Sequence, residues 1–218
     1  MSKVSSNIIS LISAIIKELA NLPINFDKIK DYIQNLPDED INKLYEIGTM
    51  KIPIISAILY HTDLLQIDII YDIIANLIDR SADVNMVDEN GLSPLMYFLN
   101  QTGDLKSYNT WSSEQENAMT LEDVEMHEKK IIKLLLDNGA DLNHVTLGNK
   151  TIIEKYFEFG CYHIILHFLE LSDINFNTLF SNNKTLLENI NDLLRSPDSY
   201  YMHRFTMYYI YEIIKLIK

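Results

Sequence analysis

The chain has 218 residues, 47% of them hydrophobic, which is enough for one sizeable core or a continuous stack and too apolar for a disordered segment. Acidic residues outnumber basic ones 31 to 18, and the net charge of −13 disfavours a phosphate-binding surface, and with it nucleic acid, and favours a basic or amphipathic protein partner. A single cysteine, Cys161, excludes an internal disulfide or a zinc ribbon, and six glycines with five prolines are too few for a turn-rich β-sandwich, so an all-α chain is expected in a reducing compartment.

In chain order, Ile8–Ile16 (IISLISAII) has the length of a signal-peptide core, but Lys17 and Glu18 follow at once and no small-x-small cleavage site appears. Positions 8, 12, 15, 16 and 19 share one helical face, so the segment reads as a packed first helix. No window approaches the ~20 apolar residues needed to span a bilayer, and no membrane association is expected. The remaining periodicity gives five helical pairs: about 7–20 with 26–36, 52–60 with 64–80, 93–100 with 124–138, 151–159 with 162–171, and 185–195 with 200–217.

Two phrases alternate along these pairs. Asn149-Lys150-Thr151-Ile152-Ile153-Glu154 returns 34 residues later as Asn183-Lys184-Thr185-Leu186-Leu187-Glu188, with Asn90-Gly91-Leu92-Ser93-Pro94-Leu95 of the same shape and Met50-Lys51-Ile52-Pro53-Ile54 a weaker version. The other is Asp-aliphatic-Asn: Asp40-Ile41-Asn42, Asp83-Val84-Asn85, Asp141-Leu142-Asn143 and Asp173-Ile174-Asn175. Ser93-Pro94 and Thr151 suit helix starts, because a hydroxyl oxygen can accept an otherwise orphaned backbone N–H. Gly139 suits a left-handed helix end, whereas Ser81 and Leu171 or its neighbour must manage there with poorer chemistry.

At these residues the chain resembles ankyrin repeats, whose unit is a β-turn and two helices over about 33 residues with a T-P-L-H-type helix start. The resemblance is strongest at Lys130–Leu142 (KIIKLLLDNGADL) and runs over about residues 26 to 217. No unit has the T-P-L-H histidine, Tyr97 and Glu154 standing at or beside its place, and successive Asn residues of the second phrase lie 43, 58 and 32 apart. The resemblance implies an ankyrin-like helical solenoid of about five helix pairs: capping helices over 1–50, repeats over 51–177 with an inserted loop at about 101–121, and a degenerate repeat or cap over 178–218.

The fold so implied points to a protein-binding module that uses its concave face and turn tips. The candidate contact residues are Leu44, Tyr45, Met86, Asp88, Glu89, Tyr97, His144, Val145 and Phe176, joined by Trp111 in the inserted loop, which suits either a binding anchor or local packing. Degenerate ankyrin-like chains with this composition resemble secreted bacterial effectors and host-range proteins of large DNA viruses, which places the chain in a cytoplasm, its own or a host's. The alternative is an acidic immunity or anti-defence inhibitor that blocks a basic nuclease or toxin. The last helix is apolar on more than one face, and Tyr208, Tyr209 and Tyr211 there suit a homodimer. No catalytic, cofactor-binding or metal site is expected: phosphate-loop, nucleophile-elbow and dinucleotide motifs are absent, His163 and His167 lack the glutamate of a metalloprotease pair, and Cys161 reads as packing.

Overall fold

The computed structural model describes residues 14–15, 17–18, 25–47, 50–60, 67–102, 121–172, 180–197, 202 and 204–217. These residues are mostly helical and fall into two compact units, Met1–Gln101 with Asn117–Ala140, and Thr102–Glu116 with Asp141–Lys218.

In the first unit, α1 (Phe26–Gln34) starts at Asn25, whose side chain accepts from the Lys28 N–H, and it buries Ile29 and Ile33 on one face. A short α2 (Asp38–Ile41) follows Pro37 with three carboxylates in its first turn, where the helix dipole favours negative charge. Next comes an antiparallel hairpin of β1 (Leu44–Ile47) and β2 (Met50–Pro53), paired Leu44↔Pro53, Tyr45↔Ile52, Glu46↔Lys51 and Ile47↔Met50. Its alternation is plain: Tyr45 and Ile52 are buried, while Glu46 and Lys51 face outward. The expected helix start at residue 52 therefore comes two residues later, because Met50–Pro53 is spent on the strand. α3 (Ile54–Tyr60) has every side chain from Ile54 to Leu59 buried. α4 (Ile67–Asp79) packs on α3 and on α6 (Leu121–Asp137), with α5 (Pro94–Thr102) between them in sequence.

The second unit contains α7 (Ile152–Glu158), α8 (Tyr162–Leu171), α9 (Leu186–Arg195) and α10 (Arg204–Ile217), with α8 packed on both α7 and α10. Thr151 caps α7 as expected, and Thr185 caps α9 in a full capping box with Glu188. Ser93 does not cap α5 through its side chain. Its backbone carbonyl takes the Met96 and Tyr97 N–H groups at 2.9 and 3.1 Å, and its buried Oγ has no hydrogen-bond partner among the described residues.

Core positions recur from helix to helix. Ile70, Ile73, Ile74 and Leu77 on α4 correspond to Glu128, Ile131, Ile132 and Leu135 on α6, and these to Cys161, Ile164, Ile165 and Phe168 at α8, all buried at i, i+3, i+4 and i+7. The helix ends recur too. Ala82 N–H donates to Leu77 O and Ala140 N–H to Leu135 O, both at 2.9 Å, across left-handed Ser81 (φ 67°) and Gly139 (φ 84°). Cys161 N–H and Tyr156 O close the same bond at 2.9 Å around Gly160 (φ 73°). α8 ends differently, with Ser172 extended and both its N–H and Oγ–H directed to Phe168 O.

The left-handed positions carry opposite costs. A Cβ at Gly139 would meet nothing within 4 Å, so Gly139→Ala tests backbone strain alone, and a loss of about 1 kcal/mol is expected from urea unfolding midpoints. Ser81→Gly should raise stability by about 0.5–1 kcal/mol, since it relieves strain that serine bears. Equal signs for the two changes would contradict this account.

Candidate protein-binding surface at the turns

Among the described residues the Asp-aliphatic-Asn phrases shape and join turns; Asp173-Ile174-Asn175 lies outside the described residues. The aspartate carboxylate accepts the N–H of the asparagine two residues on, Asp83 to Asn85 and Asp141 to Asn143, each at 2.8 Å. The aliphatic residue, Ile41, Val84 or Leu142, is buried. The asparagine then reaches the next turn: Asn42 Nδ2 donates to Ser81 O at 2.8 Å while its Oδ1 accepts from Asp83 N at 2.7 Å, and Asn85 Nδ2 donates to Gly139 O at 2.7 Å. Both receiving carbonyls belong to the left-handed residue, so the left-handed backbone at 81 and 139 points an acceptor at the preceding asparagine.

After these phrases come three turns with one geometry. Asp88–Leu92, Thr146–Lys150 and Phe180–Lys184 are each closed by an N–H to carbonyl bond between first and fifth residues, at 3.1, 3.0 and 2.9 Å. Each has a second bond from fourth to first, at 3.1, 2.9 and 2.8 Å, with the fourth residue left-handed: Gly91, Asn149 or Asn183. This is a tight turn followed by a left-handed residue, and glycine and asparagine are the residues that take that conformation at least cost.

Buried carboxylates hold the turns from inside. Asp88 accepts the N–H groups of Asn90 and Leu92 at 2.8 and 2.7 Å and the Tyr97 hydroxyl at 2.7 Å, so a carboxylate only 6% exposed is satisfied on all sides. Burial, and next the bond to Asp88, raise the Tyr97 phenol well above its ordinary pKa. Glu154, at the other departure from T-P-L-H, is 3% exposed and accepts the Ser181 N–H at 3.0 Å and the Ser181 hydroxyl, tying α7 to the next turn.

The candidate contact residues sort accordingly. Asp88 and Tyr97 are internal and present little to a partner. Tyr45 is buried as well: it sits in a strand rather than at a turn tip, with its hydroxyl donated to Asp40 O. Leu44 is exposed at the start of β1, and Glu89 is exposed beside Lys51, its ion-pair partner at 3.2 Å. Met86 and His144 are half-buried, and Val145 is exposed. Trp111 and Phe176 lie outside the described residues, as does most of the 101–121 segment.

Sequence reasoning missed Leu147. At 78% it is the most exposed large apolar side chain among the described residues, at the tip of the Thr146–Lys150 turn and two residues from Val145 at 44%. The signal available was its place just before Gly148-Asn149, where an apolar residue cannot fold back onto the core. The helices offer less: α3 buries Ile54–Leu59 and α5 buries Pro94–Phe98, so exposure in these segments is concentrated at the turns.

Other features hold themselves together. The groove of about 350 Å³ lined by Asp68, Tyr71, Asp72, Lys130, Lys133 and Asp137 is crossed by the ion pairs Lys130–Asp68 at 3.0 Å and Lys133–Asp137 at 2.8 Å. His163 and His167 are buried with ring centroids 6.3 Å apart, and among the described residues no three His, Cys, Asp or Glu side chains gather to hold a metal ion. No described helix is long and apolar enough to cross a membrane. No protein-family model matches the chain.

Removing either buried carboxylate strands its donors. Asp88→Ala and Glu154→Ala are each expected to cost about 2–3 kcal/mol in denaturant unfolding, and Glu154→Ala should speed hydrogen exchange at the Ser181 amide. Costs near zero would mean that the turns stand without them. Alkaline pH should also weaken the second unit. Burial, with a smaller push from Cys161, moves the Tyr162 phenol up to about 12. A phenol whose pKa rises on folding contributes stability that is complete below its unfolded value near 10 and lost as pH climbs past it. Unfolding free energy should therefore fall between about pH 10 and 12, and Tyr162→Phe should flatten that slope.

Proposed function

We propose that the chain is a protein-interaction module built from ankyrin-like repeats, which binds a target through the exposed tips of its turns and catalyses nothing. The observation that carries this reading is the shared geometry of the turns at 88–92, 146–150 and 180–184, with left-handed Gly91, Asn149 and Asn183 in equivalent places. The helix core positions recurring at 70–77, 128–135 and 161–168 support it, because stacked helix pairs depend on their neighbours for burial. Such a frame separates two classes of residue. Asp88, Tyr97, Glu154, Asn42 and Asn85 hold the turns, while Leu44, Glu89, Val145 and Leu147 are presented outward.

The target surface implied at Val145 and Leu147 is apolar or amphipathic, since two uncharged side chains at one tip gain most by leaving water. The acidic-inhibitor alternative draws less support from the described tips. Glu89 there and Glu46 on β1 share Lys51, at 3.2 and 3.9 Å, so their charge is partly neutralised within the molecule.

The test is capture from a eukaryotic and a bacterial lysate with the wild-type chain and with a Val145→Ser, Leu147→Ser double variant. Both side chains are exposed, so the variant is expected to keep wild-type thermal unfolding and to lose the captured target, with affinity reduced about tenfold or more. A target held equally by both proteins would overturn the placement of the site. A basic nuclease or toxin bound only at low salt would replace this reading with the inhibitor.

A further inference from the structure

α10 has two faces with different fates. Ile210 and Ile213 are buried, and Tyr209 stacks on His163 of α8 with ring centroids 5.7 Å apart. On the other side Met207, Tyr208, Tyr211 and Leu216 are exposed, Tyr208 to 57% and Tyr211 to 64%, with Arg204 and Lys215 at either end. Two exposed tyrosines within one turn, flanked by a methionine, make an amphipathic patch of the kind that interfaces favour. The tyrosine cluster expected from sequence thus divides: Tyr208 and Tyr211 face outward, and Tyr209 belongs to the internal packing.

The charges on this face have an order. Arg204, Tyr208, Glu212 and Leu216 follow one another at intervals of four and form a single ridge, with Met207, Tyr211 and Lys215 as the neighbouring ridge. Helices pack most often by laying such four-residue ridges side by side. When the second helix is a reversed copy of the first, about a two-fold axis near Tyr208, Arg204 of each copy comes beside Glu212 of the other, and the tyrosines meet in the middle. The ridge is self-complementary under reversal, which a two-fold interface requires and a surface for an unrelated partner does not.

We propose that this face of α10 binds the same face of a second copy of the chain, antiparallel, with Tyr208 and Tyr211 at the centre and two reciprocal Arg204–Glu212 pairs at the edges. Glu212 already holds Lys215 at 2.6 Å within its own helix, so in the pair it bridges two cations. The net charge of −13 opposes association at long range but is screened beyond about 8 Å at physiological ionic strength. One helix on one helix is a small interface, and the dimer is expected to be weak, with Kd on the order of tens of micromolar. The turn surface has no part in this contact.

Sedimentation velocity on the full chain, from about 1 to 200 µM, is the test. Wild-type mass should rise toward the dimer across that range. Tyr208→Ser with Tyr211→Ser, at two exposed positions whose contacts are the edge of Tyr209 at 5.5 Å and Lys215 at 5.2 Å, should keep the helical circular dichroism and lower thermal unfolding little, yet raise Kd by roughly a hundredfold. R204E and E212R should each weaken the dimer about tenfold, and the two together should bring Kd back to within about threefold of wild type. A chain monomeric throughout the range, association indifferent to the tyrosine changes, or a doubly charge-reversed variant no tighter than either single one would each overturn the proposal.

Discussion

Buried carboxylates bonded to backbone N–H groups are the constraint on which the turns at 88–92 and 180–184 depend. An ionised side chain shut away from water is costly unless its lone pairs are taken up, and Asp88 meets that condition with two amides and a phenol. Glu154 meets it with the Ser181 amide and hydroxyl. Because Asp88 takes its donors from its own turn and from α5, and Glu154 from the following turn, satisfying these carboxylates also sets where the chain must run. The asparagines Asn42 and Asn85 extend the same logic between turns, each seeking the carbonyl of a left-handed residue.

This arrangement frees the tips. Asp88, Tyr97 and Glu154 hold their turns from inside and cannot change without stranding a donor or acceptor, whereas Leu147 and Val145 make few demands on the frame. A scaffold of this kind keeps its backbone while its outward residues vary, which is the physical basis for reading it as a recognition surface. The all-round burial of Ile54–Leu59 in α3 fits the same division, whereas α10 keeps Tyr208 and Tyr211 on an outer face of its own.

Much of this was legible in the chain. The aspartates of the Asp-aliphatic-Asn phrases at 83 and 141, Thr151 and Thr185, and Gly139 each act through a neighbour no more than a few residues away or through a fixed backbone conformation, so their role can be read locally, whereas Asn42 and Asn85 reach carbonyls 39 and 54 residues on. The hairpin was not legible. Met50–Pro53 resembles a helix start because it ends in proline before an isoleucine-rich run, yet pairing with Leu44–Ile47 draws it into a strand. Tyr45, Asp88 and Tyr97 have the chemistry of contact residues and spend it inside the fold. Nothing in a local window distinguishes a tyrosine whose hydroxyl meets water from one whose hydroxyl meets Asp88.

The sequence by itself determined the helical class, the recurring core positions and the places where the backbone must turn, because periodicity, capping and left-handed conformation are properties of short stretches of chain. Tertiary structure alone decided which polar groups were used up. Asp88 meets Tyr97 nine residues on, Glu154 meets Ser181 across 27, and α8 takes Tyr209 from α10 while leaving Tyr208 and Tyr211 outside. Burial depends on what packs against a residue from elsewhere in the chain, and that neighbour is chosen only when the helices come together.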